Sequence, residues 1–177
     1  MKLHGYWRSS AAYRLRIALN LKELSYKYIP IDIRTTANEQ LSSDFRAINP
    51  QGRVPVLEVD GIYMSQSMAI LEWLEERYPD PAFLPTELLQ RQKVRAFADT
   101  IACDIHPLNN LSVLNALRGD FDATDDQVQH WYKDWITRGF GALEQTVSLS
   151  TRTDNFLFGD TPGLAEICLV PQVWNAR

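Results

Sequence analysis

The chain has 177 residues, 45% of them hydrophobic and 23% charged, and a formal net charge of -4. This composition is ordinary for a globular protein, and the length suffices for one large domain or two small ones. Lysines and arginines are scattered, which argues against nucleic acid as the main partner, and no apolar run reaches the ~18 residues that a membrane-spanning helix needs. Because the N-terminus lacks the apolar core of a signal peptide, we expect a cytoplasmic protein without a membrane partner.

The first 80 residues alternate strand and helix patterns. The predicted elements are a strand over 2–7, a helix over about 10–21, a strand over 26–33, a helix over about 38–48, two strands joined at Asp60-Gly61, and a helix from Ser67 to about Tyr78. Asp-Gly between two apolar runs is a strong hairpin signal. The order β-α-β-α-β-β-α predicts an α/β domain whose first two strands are parallel neighbours, joined by a right-handed crossover.

A proline-rich segment ends this pattern, with three prolines among the seven residues from Pro79 to Pro85. The remainder is predicted to be all helical. The expected helices cover 87 to about 117, about 125–149, and Gly163 to the end, and Pro107 should kink or divide the first of them. We therefore expect an N-terminal domain over 1–80, a linker over 81–86 and a helical domain over 87–177.

The first strand runs directly into Ser9 and Ser10, ahead of a helical pattern at Leu15, Ala18 and Leu19. Either serine is placed to cap the helix. A helix N-terminus carries unpaired N–H groups and a partial positive charge, so it favours an anion. Two interpretations follow: an ordinary serine cap, or a site for the thiolate of a bound molecule.

The two cysteines, Cys103 and Cys168, lie in separate helical patterns and form no Cys-x-x-Cys pair. Neither a dithiol redox site nor a cysteine-based zinc site is expected, and nothing else in the sequence predicts a metal. Both cysteines are expected to be buried apolar residues in a reducing compartment.

Five segments, spread from one end of the chain to the other, form a more specific set. They are Tyr6–Leu19 (YWRSSAAYRLRIAL), Asn49–Leu57 (NPQGRVPVL), Gln66–Ile70 (QSMAI), Ile105–Leu114 (IHPLNNLSVL) and Leu169–Val173 (LVPQV). This set resembles the zeta class of glutathione transferases, the maleylacetoacetate isomerases.

The resemblance implies a thioredoxin-like N-terminal domain, an all-α C-terminal domain and a homodimer. It implies glutathione as the cofactor and a small unsaturated keto acid as the substrate, with conversion of maleylacetoacetate to fumarylacetoacetate in tyrosine catabolism and glutathione transferase side activity. The alternatives are a maleylpyruvate isomerase, a general glutathione transferase, and a non-enzymatic binding module that keeps the transferase fold.

The resemblance also assigns catalytic roles at the Arg-Ser-Ser segment. It implies that the Ser9 hydroxyl donates to the glutathione sulfur, with Ser10 beside it. Arg8 is then placed to hold a substrate carboxylate, as a guanidinium does in bidentate pairs. Many relatives have cysteine where this chain has Ala11, so the two serines are the only polar candidates at the sulfur.

Further glutathione contacts are implied in the rest of the α/β domain. The Val54–Pro55 peptide is expected to be cis, with the Val54 backbone facing the cysteinyl amide of glutathione. Gln66 and Ser67 are expected at the γ-glutamyl carboxylate, where Ser67 also caps a helix. Gln40 is a weaker assignment by resemblance in the loop before them.

The helical domain supplies the remaining candidates. His106 and Asn110 are four residues apart, so a continuous helix would place them on one face, with Ser112 nearby. The resemblance places all three over glutathione and substrate, with His106 as a hydrogen-bond donor rather than a base. It leaves Arg177 for the second carboxylate of the substrate.

Two departures from the family pattern are visible. Relatives have Ser or Thr where this chain has Gly163, with Glu166 three residues later; glycine is a weaker cap, and the loss amounts to a few tenths of a kcal/mol. The chain also stops where relatives continue for roughly another 35 residues. We therefore expect an incomplete helical domain with an uncovered apolar face.

Overall fold

The computed structural model describes residues 1–148 and 155–177. The chain forms two compact units, Met1–Phe83 and Leu84–Arg177, and the boundary between them lies inside the proline-rich segment. Within the described residues, no helix is long and apolar enough to cross a membrane.

The first unit contains a four-stranded sheet and three helices. Its elements are β1 (Lys2–Gly5), α1 (Ser10–Leu21), β2 (Lys27–Pro30), a 3₁₀ turn (Glu39–Leu41), α2 (Ser43–Ile48), β3 (Val56–Val59), β4 (Ile62–Ser65) and α3 (Ser67–Arg77). The strand order is β2-β1-β3-β4, with β1 and β2 parallel and the other pairs antiparallel. The predicted order and the parallel first pair are therefore confirmed. The helix predicted over 38–48 is divided at Ser42, which caps α2.

One face of this sheet is buried beneath α1 and α3. Leu3 of β1 lies opposite Leu57 of β3, and both are fully buried. Leu15, Leu19 and Leu74 complete the same core from the two helices. Burying these side chains is the main source of the unit's stability.

Lys22 joins the C-terminal end of α1 to the segment that follows α3. Its Nζ donates to Oε2 of Glu75 at 3.2 Å and to the carbonyl oxygen of Pro81 at 2.8 Å, and it lies 3.8 Å from the ring centroid of Phe83. The side chain is fully buried. A buried ammonium is tolerated only when its donors are satisfied, as they are here.

The second unit is helical. Its elements are α4 (Leu88–Asp99), a π-helical stretch (Thr100–Ile105), a 3₁₀ turn (Pro107–Asn109), α5 (Leu111–Gly119), α6 (Asp125–Ser148) and α7 (Leu164–Asn175). Pro107 divides the long predicted helix, as expected. The last residue of the helix predicted over 125–149 lies outside the described residues. Cys168 is buried but Cys103 is exposed, so the prediction of burial is wrong for Cys103.

Gly139 brings α6 close to the π-helical stretch. A Cβ placed on Gly139 would lie 2.3 Å from Cγ1 of Ile105, which no side chain permits. Ile105 is 1% exposed and cannot withdraw into solvent. The absence of a side chain at Gly139 therefore sets the separation of these two elements.

Glu166 anchors the start of α7, where Gly163 is the N-cap. Its carboxylate accepts from the backbone N–H of Gly163 at 2.8 Å and from that of Leu157 at 2.6 Å. Glu166 therefore makes the N3 half of a capping box, whereas the N-cap half is missing because glycine has no side-chain oxygen. Further along α7, Val170 is 45% and Trp174 is 68% exposed.

Candidate functional site

The N-terminus of α1 is built around Ser9. Ser9 is the N-cap, and its Oγ accepts from the backbone N–H of Ala12 at 3.2 Å. A serine hydroxyl has one hydrogen in addition to its acceptor sites, so this hydrogen is left for a second partner. Among the described residues, no acceptor lies within reach of it. Ser9 thus caps the helix and still has a donor to offer to an anion.

Ser10 is less accessible than Ser9. It is the first residue of α1 and is 5% exposed, whereas Ser9 is half-buried. Of the two hydroxyls, Ser9 is the one that a bound molecule reaches more directly. Proximity in sequence does not make the two serines equivalent.

Arg8 presents its guanidinium to solvent. The side chain is exposed and lies over the Trp7 ring, with Cζ 5.7 Å from the ring centroid. No carboxylate in the described part of the chain pairs with it. Nη2 of Arg16 donates to the carbonyl oxygen of Trp7 at 2.9 Å, so the backbone immediately before Arg8 is held in place. The Arg8 guanidinium is therefore a cation at the surface whose hydrogen-bond donors are available to a ligand.

The loop before β3 belongs to the Asn49–Leu57 segment of the family resemblance. Val54–Pro55 is cis, as predicted. Asn49 is 2% exposed, and its Nδ2 donates to the carbonyl oxygen of Arg53 at 2.7 Å. Gly52 has φ +60°, and a Cβ there would lie 3.0 Å from the carbonyl oxygen of Gln40. The Asn-Pro-Gln-Gly sequence therefore shapes the approach to Val54.

Two of the predicted glutathione contacts in the first unit are glutamines. Gln40 donates through Nε2 to Oδ1 of Asn38 at 3.3 Å, while its Oε1 is buried without a partner in the described residues. Gln66 has φ +69°, and its Nε2 donates to Oε1 of Gln51 at 2.7 Å. Gln51 was not among the sequence candidates.

The start of α3 differs from the prediction. Gln66, not Ser67, is the N-cap, and Gln66 makes no capping side-chain hydrogen bond. Ser67 is the first helical residue, and its Oγ accepts from Nη1 of Arg14 at 3.2 Å. Arg14 is 2% exposed. Sequence reasoning missed Arg14, although a charged residue four positions before Ala18, on the buried side of α1, was the available signal.

The candidates in the second unit do not share one helical face, and that prediction is wrong. The helix is interrupted at Pro107, and Asn110 has extended backbone angles, φ -68° and ψ 147°. Its Oδ1 accepts from the backbone N–H and from Oγ of Ser112, both at 3.1 Å. Asn110 and Ser112 therefore form the cap of α5. His106 is half-buried and Arg177 is exposed.

No grouping of three or more His, Cys, Asp or Glu side chains suited to a metal occurs within residues 1–148 and 155–177. The polar groups at the starts of α1 and α3 are hydroxyls and amides, together with Arg8. This donor set is matched to carboxylates and to a sulfur anion rather than to a cation.

The sequence model of the family described as "Glutathione S-transferase, N-terminal domain" matches residues 8–77. Maleylacetoacetate isomerase of Pseudomonas aeruginosa is 46% identical over all of this chain and 82% of its own. A solved maleylpyruvate isomerase, a bacterial zeta-class glutathione S-transferase, matches with a TM-score of 0.96 and 46% identity over 100% of this chain and 82% of its own. Maleylacetoacetate isomerase of Anaeromyxobacter dehalogenans, solved with glutathione in its active site, gives a TM-score of 0.85 and 44% identity over 99% and 80%.

Proposed function

Because the chain belongs to the zeta-class glutathione transferase family of maleylacetoacetate and maleylpyruvate isomerases, we propose that it is a glutathione-dependent cis-trans isomerase that converts maleylacetoacetate to fumarylacetoacetate. The observation that supports this most directly is the unused hydroxyl hydrogen of Ser9 at the N-terminus of α1, beside the exposed Arg8. The glutathione bound in the Anaeromyxobacter relative supports the cofactor.

The residues present fit glutathione. A thiolate accepts hydrogen bonds, and Ser9 has a hydroxyl hydrogen to donate, with Ser10 and the α1 dipole beside it. Gln66 and Ser67 would hold the γ-glutamyl end at the start of α3, and Val54 with Pro55 would hold the cysteinyl amide. Gln40, whose Oε1 is buried without a partner in the described residues, would add an acceptor.

The chemistry needs no oxidant and no net proton. Bound glutathione supplies a thiolate whose reversible addition to the conjugated double bond permits rotation about it. The protein must hold the acid in place and stabilise the negative charge that develops on the keto oxygen. Arg8 is suited to hold a substrate carboxylate, and the N-terminal end of α1 favours negative charge beside Ser9.

The helical unit supplies the proposed remainder of the substrate contacts. His106 would donate a hydrogen bond, and Arg177 would face the second carboxylate. Asn110 and Ser112 are proposed at the glutathione on the family pattern alone, because their hydrogen bonds in this structure are those of a helix cap. Replacing them is expected to destabilise α5 as well as to alter binding.

Maleylpyruvate is the second candidate substrate. The solved maleylpyruvate isomerase that matches all of this chain supports it. Both acids present a cis double bond conjugated to a keto group, and the donors described here suit either one. A ratio of kcat/KM values for the two acids distinguishes them.

We also propose that the protein is cytoplasmic, that its domains span 1–80 and 87–177, and that it forms a homodimer. Ile62 and Tyr63 of the edge strand β4 are 67% and 44% exposed, and Leu88 and Leu89 at the start of α4 are 79% and 68% exposed. Exposed apolar side chains of this size favour association. Sedimentation equilibrium of the wild type and of Leu88→Asp tests the dimer.

The serine pair Ser9 and Ser42 gives a matched test of the site. Each caps a helix by accepting a backbone N–H at 3.2 Å, but only Ser9 lies beside Arg8. Ser9→Ala should reduce isomerase kcat at least tenfold and lower the fraction of bound glutathione that is thiolate. The Ser42 hydroxyl also donates to the carbonyl oxygen of Glu39 at 2.8 Å. Ser42→Ala should therefore lose at least as much stability as Ser9→Ala, about 1 kcal/mol or more, and keep its activity. Equal activities of the two variants would contradict the assignment.

A further inference from the structure

A buried hydrogen bond joins the middle of α1 to the first residue of α3. Nη1 of Arg14 donates to Oγ of Ser67 at 3.2 Å, and the two residues are 2% and 6% exposed. A guanidinium has donors and no acceptor, and a serine hydroxyl has one hydrogen. The bond therefore fixes the polarity of Ser67: Oγ accepts from Arg14, and its hydrogen must point towards another partner.

No acceptor for this hydrogen lies within reach in the part of the chain that the structure describes. Ser67 is also at a helix start whose N-cap, Gln66, makes no capping side-chain hydrogen bond. A hydroxyl donor at a helix N-terminus is complementary to a carboxylate, since the helix dipole and the hydroxyl act in the same direction.

We propose that Arg14 is a positioning residue for glutathione recognition, which fixes the Ser67 hydroxyl as a donor to the α-carboxylate of the γ-glutamyl group. This inference rests on the proposed function, because it takes glutathione as the ligand. Arg14 does not touch the ligand. It acts by occupying the acceptor side of Ser67, so that the hydroxyl does not turn its hydrogen into the protein.

Replacements at Arg14 separate this role from that of a structural tie. Lysine has only donors, so Arg14→Lys keeps the polarity of Ser67. Glutamine also has a carbonyl oxygen that can accept the Ser67 hydrogen. In Arg14→Gln the hydroxyl is therefore no longer fixed as a donor to the ligand. Both replacements disturb packing, and a purely structural tie would therefore lower stability without changing which ligand is preferred.

The test is calorimetric titration with two ligands, glutathione and 4-aminobutyryl-cysteinyl-glycine, which keeps the thiol but lacks the γ-glutamyl α-carboxylate. The wild type should prefer glutathione by roughly tenfold to a hundredfold, the effect of one charged hydrogen bond. Arg14→Lys should keep most of this preference, and Arg14→Gln should lose most of it. In the Ser67→Ala background, Arg14→Gln should cause no further loss.

If the wild type, Arg14→Lys and Arg14→Gln all prefer glutathione over the carboxylate-free peptide by the same factor, the inference is overturned and the proposed function stands. A wild type that binds neither ligand would overturn the proposed function itself. If the Arg14 variants do not fold, the ¹⁵N resonances of the Arg14 guanidinium in the wild type decide the question. A shift with glutathione that is absent with the carboxylate-free peptide supports the inference, and equal responses overturn it.

Discussion

The packing of Gly139 against Ile105 gives a sharp prediction about the helical unit. A Cβ at Gly139 would lie 2.3 Å from Cγ1 and 2.4 Å from Cδ1 of Ile105, whereas a Cβ at Gly141 would have no atom within 4 Å. Both glycines lie inside α6, so replacing either one by alanine raises helix propensity by the same amount. They differ in the collision with a side chain that is 1% exposed.

The magnitudes follow from these two terms. Replacing glycine by alanine inside a helix stabilises by about 1 kcal/mol. Forcing extra volume into a packed core costs about 1–3 kcal/mol. Gly141→Ala should therefore raise the free energy of unfolding by about 1 kcal/mol, and Gly139→Ala should leave it unchanged or lower it by up to about 2 kcal/mol.

Urea unfolding of the wild type and both variants measures the difference directly. Adding Ile105→Val to Gly139→Ala removes one of the two colliding atoms, Cδ1. The free energy of unfolding should therefore fall less than it does when Ile105→Val is made in the wild type. A Gly139→Ala protein as stable as the Gly141→Ala protein would refute the close approach of α6 to the π-helical stretch.

Three further predictions concern charged side chains. Glu166→Gln should lower the free energy of unfolding by about 1–3 kcal/mol in thermal unfolding, because an amide oxygen cannot satisfy both N–H groups that the carboxylate binds. Hydrogen bonds from Lys2 and His4 hold the pKa of the Glu58 carboxyl below its usual range. The stabilisation that ionised Glu58 gives to the folded protein is therefore present above the unfolded-state pKa of this carboxyl and is lost as pH falls through the folded-state pKa. Acid titration should therefore show a shallower loss of stability in Glu58→Gln than in the wild type. Lys22→Met should destabilise the first unit by roughly 1 kcal/mol or more, since it removes the hydrogen bonds that Nζ of Lys22 donates to Glu75 and to the carbonyl oxygen of Pro81.

Local sequence signals were sufficient for most of the architecture. The Asp60-Gly61 hairpin, a serine cap at the start of α1 and the division at Pro107 each depend on the conformational preference of one or two residues, and all three occur in the structure. The cis Val54–Pro55 peptide came from the family resemblance and is also present.

One error of the sequence analysis was local, and one omission depends on a tertiary contact. Helical spacing placed His106 and Asn110 on one face, but the proline between them ends the helical register and Asn110 becomes a cap. Spacing also gave no partner to Arg14, because its contact with Ser67 joins positions 53 residues apart in the chain. Such a contact exists only after α1 and α3 pack on the same side of the sheet.

The isomerisation of maleylacetoacetate, followed with glutathione and with S-methylglutathione, tests the proposed function most directly. S-methylglutathione keeps the carboxylates and the amides but has no thiol to add to the double bond. The proposal predicts that both peptides bind, that isomerisation proceeds with glutathione, and that it stops with S-methylglutathione. Equal rates with the two peptides, or an unchanged rate with neither present, would contradict glutathione-dependent isomerisation.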